Sequence, residues 1–280
     1  MILVAESGST KTDWRWIGKD GQTRAWKTAG INPFYQTKDT LHSFFHAEVF
    51  TEVPTSPVAI FYYGTGITGP DQKELLTSLF QGYWPKTKTI QIESDVVGAG
   101  RALFGRGSGL AAILGTGSNS VWFEDGQIAY QIPPLGFWLG DEGSGGHLGK
   151  TLVLTYLHHE MPASTRQIFE AQFGAFDRMP ILEAAYRKPF PNRYFAQYTP
   201  FILAQITDPF IENLVNQSFT LFFEKYISKY PQNQPLGFVG SIAYYFRNSL
   251  DRVAQREGYD IEKIVASPLE DLVTFHLQNL

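Results

Sequence analysis

Short apolar runs that stop abruptly at small and hydroxyl residues punctuate this chain, and longer segments of helical periodicity fill the spaces between them. The first run is Ile2-Leu3-Val4-Ala5, bounded by Glu6-Ser7-Gly8-Ser9-Thr10-Lys11-Thr12. A short apolar run closed by turn residues predicts a buried strand. Asp13-Trp14-Arg15-Trp16-Ile17 predicts a second strand, Gly18-Lys19-Asp20-Gly21 a turn, and residues 22–28 a third strand. The pattern returns later in the chain. Leu110-Ala111-Ala112-Ile113-Leu114 is apolar, Gly115-Thr116-Gly117-Ser118 is the turn, and residues 119–123 predict the next strand. Both units close in Asp-Gly-Gln, at 20–22 and at 125–127. Such a repeat predicts two related lobes, each with a phosphate-sized turn. Two unrelated hairpins with ordinary turn chemistry are the plainer alternative.

Between the repeats, residues 39–50 predict a helix, 57–63 a strand, 71–80 a helix, 89–92 a strand ending at Glu93, and 96–104 a helix. His42 and His46 stand four apart, but no glutamate follows the first as in zinc proteases, so they read as a solvated or packed face. Residues 133–147 form a glycine-dense loop that holds Asp141 and Glu142. Residues 148–159 predict a helix, and 160–230 are mostly helical. There Asp208 and Pro209 pair an N-cap with a first-turn proline. Residues 235–239 and 261–265 predict strands, followed by helices from 242 and from 268. The class is α/β.

Composition narrows the function. The 280 residues are 43% hydrophobic and 18% charged, the balance of a globular chain. A net charge of -4 without a basic block argues against nucleic acid as a partner. The chain has no cysteine, which excludes disulfides, thiolate nucleophiles, and iron–sulfur clusters ligated by its own residues. The first apolar run is too short for a secretory leader and lacks basic flanks, and no stretch approaches a membrane span. A cytoplasmic protein with no membrane partner is expected.

The candidate chemistry lies at the strand ends. Small residues let backbone N–H groups close on an anion, and the hydroxyls of Ser7, Ser9, Thr10 and Thr12 add donors. Glu6 is placed to hold a cation beside that anion. Asp95 falls at a strand-to-helix junction, where it reads both as a helix N-cap and as a carboxylate at a ligand-binding sheet edge. Asn32, held extended by Pro33, projects from a loop or is a plain turn residue. Gly240 at another strand-to-helix junction suits either a simple turn or the approach of a flat ring. Gly64-Thr65-Gly66-Ile67-Thr68-Gly69 is a literal G-x-G-x-x-G with Glu93 downstream, a rival sign of dinucleotide binding. Pro70 at the helix start and the flanking hairpin units stand against it.

Taken together these motifs resemble the N-acetylglucosamine kinase branch of the sugar kinase–actin superfamily, close to the BadF/BadG-type ATPases. The resemblance runs over nearly the whole chain: residues 6–12, 114–119, the Asp95 junction, 140–144 and 239–241. It implies two ribonuclease H-like, actin-like ATPase lobes with an interdomain cleft: residues 1–105 with a C-terminal helix at 268–280, and residues 106–267 with a helical insertion. It implies ATP and Mg²⁺ as cofactors, an amino sugar as substrate, and a homodimer. By motif position Asp95 is the general base and Glu6 the metal residue. Ser9, Thr10, Lys11, Thr116, Gly117, Gly240 and Ser241 would bind the nucleotide. Asn32, Ser118, Asn119, Gly136 and Asp141 would hold the sugar. The family usually has aspartate where this chain has Glu6, and glycine where it has Ser7. A nucleotide-binding regulator without kinase activity is the alternative within this fold. An activator of a radical dehydratase would need cluster-binding cysteines that the chain lacks.

Overall fold

Apolar residues on both faces of the first strand place it in the middle of a sheet. In the computed structural model, which describes residues 1–175 and 177–279, β1 (Ile2–Ser7) lies between β2 (Lys11–Ile17) and β4 (Ala59–Gly64). With β3 (Thr23–Ala29) and β5 (Thr89–Ser94) the sheet order is β3-β2-β1-β4-β5. β1 is antiparallel to β2, with Glu6 opposite Asp13 and Ser7 opposite Thr12. It is parallel to β4, with Ser7 opposite Gly64. β4 is in turn parallel to β5.

The second sheet repeats this order. β6 (Gly109–Leu114), β7 (Ser118–Glu124), β8 (Gln127–Tyr130), β9 (Leu236–Val239) and β10 (Ile261–Val265) are arranged β10-β9-β6-β7-β8. Counted within each repeat, both sheets read third, second, first, fourth, fifth. β9 is parallel to β6 and to β10. The duplicated signal in the sequence is therefore a duplicated topology. A Rossmann unit is excluded, because the strands that open the first sheet form an antiparallel meander. Pro70 begins the helix Pro70–Tyr83 rather than opposing it, and Glu93 is paired with Lys73 at 2.5 Å.

The chain divides into two compact units. One is Met1–Ser108 with Phe123–Ile128 and Ser267–Leu280; the other is Gly109–Trp122 with Ala129–Ala266. In the first unit the two-residue period of β1 sorts its side chains. Leu3 and Ala5 join Trp14, Tyr62, Phe45 and Phe80 on one face. Ile2 and Val4 join Phe61, Tyr63 and Leu272 on the other. The second unit carries the helical insertion, in which Asp208 accepts a hydrogen bond from the Phe210 N–H at 2.9 Å and caps Pro209–Lys225. Phe169, Phe201, Phe219 and Phe222 from this insertion are buried with Phe238 of β9. The glycine-dense loop, expected to be irregular, contains a short helix, Gly136–Leu139. No described helix is long and apolar enough to cross a membrane.

The helix at the chain's end spans Leu269–Gln278; Leu280, the last residue of the expected C-terminal helix, lies outside the described residues. A polar chain pins it to β4. Arg101 Nη1 donates to the Tyr63 hydroxyl at 2.7 Å, and that hydroxyl is 2.7 Å from His276 Nε2. Guanidinium only donates, so Tyr63 passes its own proton toward an unprotonated His276 nitrogen. Burial, then the charge of Arg101, push the His276 pKa from 6.5 down to about 3.

The unfolded imidazole takes up a proton near pH 6.5, and the folded one refuses it until about pH 3. Protons therefore favour the unfolded chain in that window, and the stability contributed by His276 is lost as pH falls through it. Thermal melts of wild type and His276→Gln should differ most above pH 6.5 and converge on acidification toward pH 3. A constant difference across that range would show that His276 is not held neutral.

Candidate active site

The loop between β1 and β2 is closed by its own backbone, with Gly8 N–H donating to the Lys11 carbonyl at 2.9 Å. Ser9 is half-buried and Thr10 exposed, so both stand at the rim of the turn. Ser7 and Thr12 do not act as the sequence suggested. Both are fully buried, and their hydroxyls lie 2.8 Å apart. Ser7 Oγ also accepts from the Ile31 N–H at 3.1 Å, and Thr12 Oγ1 donates to the Ala29 carbonyl at 3.2 Å. These hydroxyls hold the turn's shape and are not donors to an outside anion. Lys11 turns to Asp13, 2.6 Å away, and Lys27 approaches the same carboxylate at 3.4 Å.

Glu6 faces Asp13 across the β1–β2 pair and also feels the charge of Asp95. Burial, Asp13 and Asp95 lift its pKa from 4.5 to about 8, against a smaller pull from Lys11. Asp95 is the first residue of the helix Asp95–Phe104, with Ser94 rather than Asp95 at the N-cap. Burial raises the Asp95 pKa to about 6, while hydrogen bonds from the Val96 N–H, 2.9 Å away, and from its own N–H hold it down. Both carboxyls are thus held above the ordinary carboxylate range, Glu6 further than Asp95 because neighbouring carboxylates add to its burial. Glu6 and Asp95 present oxygen donors only, the donor type of Mg²⁺, which keeps several waters and takes one or two carboxylates along with substrate phosphates. Among the described residues no group of three ligating side chains forms a ready-made cage.

Asn32 is tied into its own loop. Its Oδ1 accepts from the Phe34 N–H at 3.1 Å, and its N–H donates to Gln36 Oε1 at 2.6 Å. Gly66, at φ 76°, packs so closely on Asn32 that a Cβ there would meet Oδ1 at 2.0 Å. The middle glycine of the G-x-G-x-x-G run thus makes room for Asn32.

In the second unit the turn after β6 is held by the first residues of the helix Gly145–Leu157. Gly145 and Gly146 donate to the carbonyls of Gly115 and Thr116 at 2.8 and 3.0 Å. Asp141 is buried in a left-handed backbone conformation, φ 61°, and accepts from the Ser118 N–H at 3.3 Å. A Cβ on Gly117 would stand 3.0 Å from Asp141 Oδ2, so Gly117, Ser118 and Asp141 form one compact group. Burial raises the Asp141 pKa to about 6, with Ser118 and Lys150 opposing. Asn119 Oδ1 is engaged by the Ser120 N–H and by Gln131, both at 2.9 Å. Gly136, exposed at φ 70°, opens the short helix before this loop. Gly240 has a backbone reason to be glycine. At φ 122° a Cβ would sit 2.3 Å from the Leu114 carbonyl oxygen. Ser241 is exposed at the head of the helix Ser241–Tyr245.

The adjacent acids Asp141 and Glu142 separate in role. Burial would raise Glu142, but Lys225 and Tyr226 outweigh it and its pKa falls. Glu142 is an anchor. Three further residues escaped the sequence reading. His147 Nδ1 lies 2.8 Å from Ser218 Oγ, which also receives the Gly143 N–H at 3.1 Å. Lys150, one turn past His147 on the helix Gly145–Leu157, places its charge near Asp141. The one available signal was that helical spacing after the acid loop.

No protein-family model and no curated protein matches the chain. Among solved structures, a provisionally named N-acetylglucosamine kinase from Porphyromonas gingivalis is 37% identical over 100% of this chain and 99% of its own, with a TM-score of 0.94. A protein of the same provisional name from Chromobacterium violaceum is 18% identical over 98% of both chains, with a TM-score of 0.73. The ethanolamine utilization protein EutJ from Carboxydothermus hydrogenoformans is 15% identical over 96% of this chain and 86% of its own, with a TM-score of 0.56. The last two show the fold: two ribonuclease H-like lobes of the actin-like ATPase type.

A raised carboxylate pKa stabilises the folded chain below its unfolded value and loses that contribution as pH rises through the folded one. For Glu6 the window runs from 4.5 to about 8. Glu6→Gln should therefore melt progressively higher than wild type as pH rises through this window. A difference that does not grow with pH would remove the charge conflict at Glu6.

Proposed function

The chain belongs to the N-acetylglucosamine kinase-like family of the sugar kinase–actin superfamily, and we propose that it is an ATP-dependent kinase of an amino sugar, N-acetylglucosamine or a related hexosamine. The observation that carries this reading is the 37% identity, over the whole length, to the Porphyromonas protein. The local chemistry supports it. Phosphoryl transfer depends on positioning and charge neutralisation more than on covalent chemistry by the protein.

In this reading Asp95 takes the proton of the acceptor hydroxyl as its oxygen bonds to the γ-phosphorus and the bridging bond to ADP breaks. A pKa of about 6 suits a base that must be ionised near neutral pH yet still accept a proton. Glu6, with Asp95 nearby, would hold Mg²⁺, which when bound offsets the charge of the nucleotide phosphates. Ser9, Thr10 and Lys11 in the first unit, and Thr116 and Gly117 in the second, are assigned to those phosphates. Gly240 and Ser241 are assigned to the nucleoside. Asn32, Ser118, Asn119, Gly136 and Asp141 are assigned to the sugar, with Asp141 accepting from a sugar hydroxyl.

The test is ADP release with ATP, Mg²⁺ and a panel of hexoses and hexosamines. Release should require an amino sugar, and Asp95→Asn should lower kcat by about 10²–10⁴-fold while nucleotide affinity is kept. ATP binding with no sugar-dependent ADP release would leave a regulator of the same fold, and full turnover by Asp95→Asn would remove it from the base role.

A further inference from the structure

Three consecutive residues where β3 ends, Ala29, Gly30 and Ile31, are fastened to the β1–β2 turn. The Ile31 N–H donates to Ser7 Oγ at 3.1 Å, Ser7 Oγ is 2.8 Å from Thr12 Oγ1, and Thr12 Oγ1 donates to the Ala29 carbonyl at 3.2 Å. The donors and acceptors close in either of two ways: Ile31 N–H to Ser7, Ser7 O–H to Thr12 and Thr12 O–H to Ala29, or Thr12 O–H to Ser7 and Ser7 O–H to the Ile31 carbonyl at 3.2 Å. Between these residues the Gly30 N–H donates to the Thr10 carbonyl at 3.1 Å. Gly30 is pressed so close that a Cβ would lie 2.5 Å from the carbonyl oxygens of Gly8 and Ser9. Ser7, Thr12 and the Ile31 side chain are all fully buried.

The two segments joined in this way are not equally well held. The turn has independent support, because Ser7 and Thr12 are register partners in the β1–β2 ladder and Gly8 N–H bonds to the Lys11 carbonyl. The loop that begins at Gly30 bonds mainly to itself. The N–H groups of Tyr35 and Gln36 both go to the Asn32 carbonyl, the Phe34 N–H to Asn32 Oδ1, and the Asn32 N–H to Gln36. Loss of the hydroxyl chain therefore removes the tie at Ile31, the residue before Asn32, while Gly30 and the buried Ile31 side chain still hold the base of the loop and the ladder holds the turn.

We propose that Ser7, with Thr12 as its relay, is a positioning residue that fixes Asn32 for the acceptor sugar and has no contact with the nucleotide. The proposal rests on the kinase reading and assigns a function to the serine in the first turn. A buried hydroxyl removed here leaves the Ile31 N–H without a partner and places Asn32 less precisely, so sugar affinity falls and nucleotide affinity does not.

The experiment is steady-state kinetics of Ser7→Ala, Thr12→Val and Thr12→Ser with both substrates varied, and with melting temperatures recorded. Ser7→Ala should raise the sugar KM about five- to tenfold while the ATP KM stays within about twofold. Thr12→Val, nearly isosteric, should move the sugar KM in the same direction by less, because Ser7 retains its bond to Ile31. Thr12→Ser keeps the hydroxyl and should restore wild-type values. A general loss of structure would change both KM values, lower kcat and leave Thr12→Ser no better than Thr12→Val. Equal changes in the two KM values, or a change confined to ATP, would overturn the proposal. Wild-type protein with no sugar-dependent turnover would instead overturn the kinase reading, and the role of Ser7 with it.

Discussion

Carboxylates shielded from water with too few partners are the constraint on which the candidate residues of each unit depend. A charged carboxylate taken out of water must be paired, must gain hydrogen bonds, or must keep its proton. Glu142 is paired with Lys225 and Tyr226, and its pKa falls. Glu6, Asp95 and Asp141 follow the other course, with pKa values raised to about 8, 6 and 6. Each keeps part of its hydrogen-bonding capacity open to a proton, a hydroxyl or a cation. The same burial that destabilises their ionised forms brings their titration toward neutral pH.

The fold holds these groups in place through backbone contacts that tolerate no side chain. Gly30 lies against the carbonyls of Gly8 and Ser9, and Gly240 against the carbonyl of Leu114. The turns after β1 and β6 are thus set by the strand ends around them. Their small residues serve close packing of the protein on itself as much as any approach of a ligand. Ser7 shows the same economy, since its hydroxyl faces inward and joins two loops.

Much of this was legible in the sequence. The apolar runs and the repeated small-residue turns gave the paired sheets, because a buried strand and a tight turn each have a local signature. Asp208-Pro209 gave a helix start for the same reason. The site was less open to reading. That Ser7 and Thr12 point into the protein depends on β3 returning beside the turn, which no local pattern encodes. Asp141 and Glu142 are neighbours with opposite pKa shifts, and the positions of Lys225 and Tyr226, far along the chain, separate them. Gly66 looked like part of a dinucleotide fingerprint, whereas its neighbour is Asn32. His147, Lys150 and His276 owe their character to burial and to distant charges, so no local pattern marks them.

Site-resolved titration of the side-chain carboxyl carbons by NMR tests the central claim most directly. In the free protein Asp95 should titrate near pH 6 and Glu6 near pH 8, in that order, with Glu6→Gln abolishing the later transition. Ordinary titration of both groups near their unperturbed values, 3.8 and 4.5, would contradict the account.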